Sequence, residues 1–164
     1  DELFYAVRHL KKENENFVLD LVGFFEDEYK EQVKELEKHS IAHFYGFQSD
    51  PRPFYIEADC VVLPSYHEGM SNVLLEAAAT GRPVVTSNIP GCRESVENGK
   101  SGLLVEVKNK EMLYDAMKEM LHCSREEREQ MGQAGREKME REFRKEVVVE
   151  KTVQSLRGDE KRDF

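Results

Sequence analysis

Two glutamates, Glu68 and Glu76, stand with seven residues between them in the stretch HEGMSNVLLEAAATGRPVV, His67 to Val85. Carboxylates held across a loop and the first turns of a helix accept hydrogen bonds from vicinal hydroxyls. The chemistry to weigh is therefore recognition of a ribose or another sugar. The elements that would hold the pair can be read on either side. DCVVLPS (59–65) is β-branched and nearly uncharged, a buried parallel strand broken by Pro64-Ser65. A loop through Glu68-Gly69-Met70 follows, and Ser71 is a natural N-cap for an Ala- and Leu-rich helix that Gly81 and Pro83 stop. PVVTS (83–87) is the next strand. Strand, loop, capped helix and strand form a βαβ unit whose loop lies at a strand's carboxyl end, where open parallel sheets bind nucleotides.

Helical periodicity sorts the side chains of this unit. Leu74, Ala77, Ala78 and Gly81 share a face that can press on a sheet, and Asn72, Glu76 and Thr80 make a polar stripe at i, i+4, i+8. Helical side chains lean toward the N-terminus, so the Glu76 carboxylate points to the helix start. There the free N–H groups near Asn72, Val73 and Leu74 and the positive end of the macrodipole suit a phosphate. Glu76 is then placed for ribose hydroxyls, and Glu68 for the sugar of a nucleotide-sugar. The bland alternative makes Glu76 a solvated surface residue and Glu68 a loop carboxylate. Spacing alone leaves both open.

The run PSYHEGMSNVLLEAAATGRPVVTSNIPGCRE resembles the signature of the retaining GT-B glycosyltransferases of the large family, the group 1 glycosyl transferases, that builds polysaccharides, lipopolysaccharide and glycolipids. The matching positions are Glu68, Leu75-Glu76-Ala77, Gly81-Arg82-Pro83-Val84-Val85, Pro90-Gly91 and Glu94. ENGKSGLLVE (97–106) extends the likeness, which covers residues 1 to 157. The wording around Glu68 is similar to that of bacterial capsule and exopolysaccharide enzymes. The resemblance implies that Glu68, the candidate catalytic residue, contacts the donor sugar and that Glu76 holds the ribose. It implies that main-chain amides between them, over Gly69, Met70, Ser71, Asn72, Val73 and Leu74, hold the diphosphate and sugar hydroxyls. It also implies a UDP- or GDP-sugar donor, no cofactor or metal, and retention with the leaving diphosphate as base, so that no protein nucleophile is needed. Family members carry ahead of the position of Asp1 a strand with a cationic loop and, before it, a whole acceptor domain. The chain accordingly reads as the C-terminal, donor-binding half of a GT-B fold, inactive in transfer by itself.

The base belongs where strands end near the glutamates. FYGFQSD (44–50) offers main-chain groups around Gly46–Gln48 and aromatic walls at Tyr45 and Phe47, so Tyr45, Gly46, Phe47 and Gln48 are the base-binding candidates; each ring alone is as well explained as core. Gly23 ends an earlier strand where the family shows Gly-x-Gly. Here Gly23-Phe24-Phe25-Glu26 lacks the second glycine, which argues against close phosphate approach at that loop. Arg82 and Arg93 are possible counter-charges, with Arg82 a full helix away. Glu94 is expected to tie down the helical turn after it. His67 adjoins Glu68, and the five histidines show no metal spacing.

Length and composition agree with one domain. The chain has 164 residues, 39% hydrophobic and 35% charged, enough to bury a core without staples. Its net charge of -9 argues against nucleic acid as partner, but not against one diphosphate held by amides. Three scattered cysteines, Cys60, Cys92 and Cys123, fit neither a disulfide framework nor a zinc site, and reduced thiols in a cytoplasmic protein are expected. No apolar run reaches membrane-spanning length, and DELFYAVRHLKK reads as an amphipathic helix rather than a signal peptide. The parent protein is expected at most as a peripheral protein at the inner membrane.

The remaining segments alternate helix and strand. Helix is expected over 2–13 with Leu3, Phe4, Val7 and Leu10 inward, over 27–39 with Tyr29, Val33 and Leu36 on one side, in a short piece ending before Asp59, and over 111–121. Strands are expected at 17–23, 42–47 and near 103–105. The sum is α/β, a doubly wound, Rossmann-like parallel sheet. From Ser124 to Lys151, eight basic and eight acidic residues interleave, which reads as one or two solvated helices, part of whose surface could meet a partner domain. Residues 158–164 are expected to be a disordered tail, its Arg-Gly-Asp accidental. Other readings of the whole are a sugar-nucleotide epimerase half and a Rossmann-like docking or regulatory module.

Overall fold

The computed structural model describes residues 1–157, so the expected tail at 158–164 lies outside the described residues. Its elements are α1 (Glu2–Lys12), β1 (Leu19–Val22), α2 (Lys30–Lys38), β2 (Ala42–Gly46), α3 (Arg52–Glu57), β3 (Val61–Leu63), α4 (Asn72–Ala79), β4 (Val84–Ser87), β5 (Gly102–Val105), α5 (Lys110–His122), α6 (Arg125–Glu142) and α7 (Lys145–Arg157). Single 3-10 turns at Asp27–Tyr29 and Arg93–Ser95 precede α2 and β5. Every strand pairing is parallel, β1 with β2 and β4 between β3 and β5.

Alternation on β4 makes the architecture doubly wound. Val85 joins the cluster built by Ala6, Val7 and Leu10 of α1, Leu36 of α2, and Leu113, Met117 and Met120 of α5. Its neighbour Val84 faces the opposite cluster with Tyr55 of α3, Leu74 and Ala77 of α4, Cys92 and Val96. A strand buried on both faces is mostly apolar; all four β4 residues are buried, and the polar Thr86 donates its hydroxyl to Leu63 O at 2.8 Å. Ala6, unassigned in the sequence, completes the inward face of α1 beside Val7 and Leu10, all three fully buried.

The parallel strands pair as two groups, β1–β2 and β3–β4–β5. Leu19 and Leu21 of one and Cys60 and Val62 beside or within the other pack on the same α1-centred core. Among the described residues no strand pairs with the outer edges of β1 and β3, which lie over this shared core.

The end of α4 is fixed by local chemistry. Gly81 takes φ 73°, its N–H bonds Ala78 O at 2.9 Å, and Arg82 N–H bonds Ala77 O at 2.9 Å. These are the paired bonds of a Schellman cap, which uses glycine at the left-handed position. α6 then crosses this cap so closely that a Cβ on Gly132 would lie 1.9 Å from Gly81 O. Gly132→Ala must push the helices apart and is expected to cost about 2–4 kcal/mol, read as a lowered urea midpoint.

α6 opens with a capping box in which Ser124 and Glu127 exchange bonds, and Arg125–Glu129 and Arg136–Glu140 pair at i, i+4 along it. Lys138 departs from the solvated helix expected: it is buried, with its ammonium on Glu142. In α7, Val148, Val149 and Val153 are exposed.

Candidate functional site

The first turn of α4 is the centre of the site. Ser71 occupies the N-cap position with extended backbone, φ −75° and ψ 105°, but its hydroxyl caps nothing. Its N–H donates to Gly91 O at 3.1 Å and the residue is buried. Ser71 is thus a structural joint between the α4 entrance and the Pro90–Gly91 turn, and its amide is not open to a ligand. The physical reason is tertiary: the Gly91 carbonyl reaches the amide ahead of any ligand, and Leu75 N–H is the first to return to Ser71 O, at 3.1 Å.

The next three amides, of Asn72, Val73 and Leu74, have no protein acceptor among the described residues. Asn72 and Val73 are exposed, whereas Leu74 is wholly buried in the core. The Asn72 and Val73 amides therefore lie in exposed residues with no protein acceptor among the described residues, and Leu74 anchors the turn beneath them. These two donors carry the concentrated positive end of the helix.

Glu76 lies one turn on, exposed, and its Oε2 accepts a 3.1 Å bond from the Tyr55 hydroxyl. Tyr55 is buried on α3, and burial together with the Glu76 carboxylate holds its phenol protonated far above the ordinary range. The phenol fixes one carboxylate oxygen, and the other meets no protein donor among the described residues. Thr80, the third member of the expected polar stripe, turns its hydroxyl back on the Glu76 and Ala77 carbonyls, at 2.9 Å each.

Glu68 is half-buried in the preceding loop, and its Oε1 accepts from the Ser65 hydroxyl at 2.8 Å. The loop is clamped by the close approach of Gly91, where a Cβ would lie 1.8 Å from Gly69 O and 2.7 Å from Glu68 O. Gly91 has φ 87°, and its N–H donates to Glu94 Oε2 at 2.6 Å. Glu94 therefore braces the Gly91 turn, where it was expected to tie down the following helical turn. Gly69 and Met70 are exposed between the two glutamates, as is His67.

Both arginines weighed as counter-charges are occupied elsewhere. Arg82 donates to Ile56 O at 2.6 Å and ties the end of α4 to α3; Arg93 donates to Asn88 O at 3.1 Å.

Of the second group, Tyr45 is exposed and edge-on to Phe54, with centroids 4.9 Å apart. Gly46 carries φ 66° and accepts from Gly23 N–H at 2.9 Å. Phe47 is exposed, and Gln48 folds its amide back to Tyr45 O at 2.8 Å. α3 joins the two groups: Phe54 touches Tyr45 while Tyr55 holds Glu76.

Sequence reasoning missed Tyr55 and Ser65. Nothing in the chain signals that a tyrosine 21 positions earlier meets Glu76, whereas Ser65, three residues before Glu68, was within reach of a local argument.

Known proteins resemble this chain in sequence and in fold. Residues 1–138 match the family described as Glycosyl transferases group 1. The capsular polysaccharide biosynthesis glycosyltransferase CapM of Staphylococcus aureus is 32% identical over 102 residues, 62% of this chain and 27% of CapM. A GDP-mannose-dependent α-(1-6)-phosphatidylinositol monomannoside mannosyltransferase of Mycobacterium tuberculosis is 38% identical over 93 residues, 57% of this chain and 24% of that enzyme. Among solved structures, Anabaena HepE in complex with UDP superposes with TM-score 0.72 at 19% identity, covering 96% of this chain and 55% of HepE. The chain spans 27–33% of the length of the first curated relatives it matches. Described helices include none long and apolar enough to cross a membrane. Fold, motif positions and family match agree: this chain is a Rossmann-like α/β unit of the GT-B type and belongs to the group 1 glycosyl transferases.

Proposed function

We propose that this chain is the donor-binding domain of a glycosyltransferase that moves a sugar from a nucleoside-diphosphate sugar to a polysaccharide or lipid-linked acceptor, with retention of configuration. One observation carries the reading: two exposed residues, Asn72 and Val73, whose amides have no protein acceptor among the described residues, open a helix whose next turn presents the tethered carboxylate of Glu76. The amides and helix dipole take the diphosphate, Glu76 the ribose, and Glu68, fixed by Ser65, the transferred sugar. Tyr45, Gly46, Phe47 and Gln48 receive the base.

The chemistry follows from where charge develops. As the glycosidic bond breaks, negative charge gathers on the diphosphate, and donors already aimed at it lower the barrier without reorganising. The diphosphate oxygen then takes the acceptor proton on the same face. Neither a metal nor a protein nucleophile is required in this reading.

Transfer also needs an acceptor held at reacting distance, and this chain supplies one wall of such a site. The proposal therefore assigns it to a longer, cytoplasmic protein, peripheral to the inner membrane, with an acceptor domain and a strand ahead of α1. Outer edges of β1 and β3 with no strand partner among the described residues, exposed valines on α7 and the partial coverage of relatives are consistent with that. Alone, the chain binds donor without transferring sugar.

Calorimetric titration of the folded chain with UDP, GDP and ADP is the test. At least one is expected to bind, and Glu76→Ala is expected to weaken it about tenfold through lost charged hydrogen bonds. No heat with any of the three would favour a docking module.

A further inference from the structure

Phe24 is the most exposed large apolar side chain among the described residues, at 85%, and Phe47 follows at 63%. They are not scattered. Their rings stack with centroids 5.3 Å apart and planes only 7° from parallel. The backbone builds this pair: β1 and β2 run in parallel register with Val22 opposite Gly46, and a glycine of positive φ follows β1 at Gly23, 125°, and closes β2 at Gly46, 66°. Gly23 N–H bonds Gly46 O at 2.9 Å, so both glycines release the next residue, a phenylalanine, from the same point.

Two phenylalanines joined in water hide one face each and leave flat apolar faces outward. A contiguous exposed apolar feature of this kind marks a binding surface more often than a scattered residue does. A parallel stack selects a planar occupant, because a third ring can extend it at the same spacing. The N–H groups of Phe24, Phe47 and Gln48 have no protein acceptor among the described residues, so hydrogen-bonding groups border the stack. α3 connects this corner to the anion-binding turn, since Tyr45 packs on Phe54 and the adjacent Tyr55 holds Glu76.

We propose that Phe24 is a base-stacking residue, with Phe47 as its backing ring, and that it takes the heterocyclic base of the nucleotide by its face. The proposal rests on the donor-binding reading above and adds to it a residue at the very loop where the second family glycine is missing. Stacking accepts any base, so Phe24 adds affinity for the base portion and leaves discrimination to the edge donors.

The absence of tryptophan from the chain makes the test direct. Phe24→Trp places the sole indole in the stack, and UDP or GDP is expected to quench it while inorganic pyrophosphate does not. Phe24→Ala is expected to weaken UDP and GDP roughly tenfold and leave pyrophosphate binding unchanged, with circular dichroism confirming the fold. Equal loss for nucleotide and pyrophosphate would overturn the proposal, since the effect would not be on the base. Unaltered nucleotide binding in Phe24→Ala, with Glu76→Ala still weakening it, would overturn the proposal alone. Failure of every nucleotide to bind the unmodified chain would overturn both readings.

Discussion

Gly91→Ala is expected to cost at least about 3 kcal/mol and to abolish nucleotide binding, because it strikes backbone on both sides. The new Cβ would overlap Gly69 O at 1.8 Å and Glu68 O at 2.7 Å, both main-chain atoms that cannot swing aside. The φ of 87° adds strain for any L side chain. Relief requires the Glu68 loop and the Gly91 turn to separate, which breaks the Ser71 N–H to Gly91 O bond and loosens the entrance to α4. Chemical denaturation reads the stability loss. Calorimetry at a temperature where the variant stays folded reads the binding loss. A folded Gly91→Ala chain that binds nucleotide normally would show that the clamp does not position the site.

Asn72→Pro is the second large expectation, and it isolates one hydrogen atom. Proline is well suited to the first position of a helix, where its missing N–H breaks no helical bond. The residue before it must be extended, and Ser71 already is, at ψ 105°. The variant therefore keeps the helix and deletes one of the two amides offered to phosphate. Loss of a hydrogen bond to a charged group is worth about 1.5–3 kcal/mol, so UDP affinity should fall roughly 10- to 150-fold. Asn72→Ala, which retains the amide, separates the side chain from the backbone. If both variants lose affinity equally, the side chain is the contact and the amide is not.

Local regularities made much of this protein legible in its sequence. The α4 faces follow from the helical period alone: Leu74, Ala77 and Ala78 are buried, and Asn72 and Glu76 are exposed. Gly81 and Pro83 marked the end of the helix because a left-handed cap demands glycine, and the structure has Gly81 at φ 73°. α6 and the first half of α7 fall within the charged segment that interleaved signs identified. Some elements came out shorter than the sequence suggested where ends lose their partners, as at Asp27–Tyr29, which winds as a 3-10 turn ahead of α2.

Contacts between distant segments were not legible. Ser71 has the right side chain for a cap, yet the cap is empty and its amide goes to Gly91, twenty positions on. Lys138 looked solvated within a charged helix and is buried against Glu142, because exposure depends on which neighbours cover its stem. The pairing of the strands as two groups has no local signal either, since each strand keeps its own apolar pattern. Phe24 was legible only as the residue between Gly23 and the position, Phe25, where the second glycine is missing; that it stacks on Phe47 depends on the pairing of β1 with β2.

Amide resonances of the isotopically labelled chain during titration with UDP or GDP test the central claim most directly. The Asn72 and Val73 N–H signals are expected to move furthest, pyrophosphate is expected to move the same two, and Ser71, already bonded to Gly91, is expected to move little. Saturable nucleotide binding that leaves Asn72 and Val73 unmoved, with shifts gathered elsewhere on the surface, would contradict that claim.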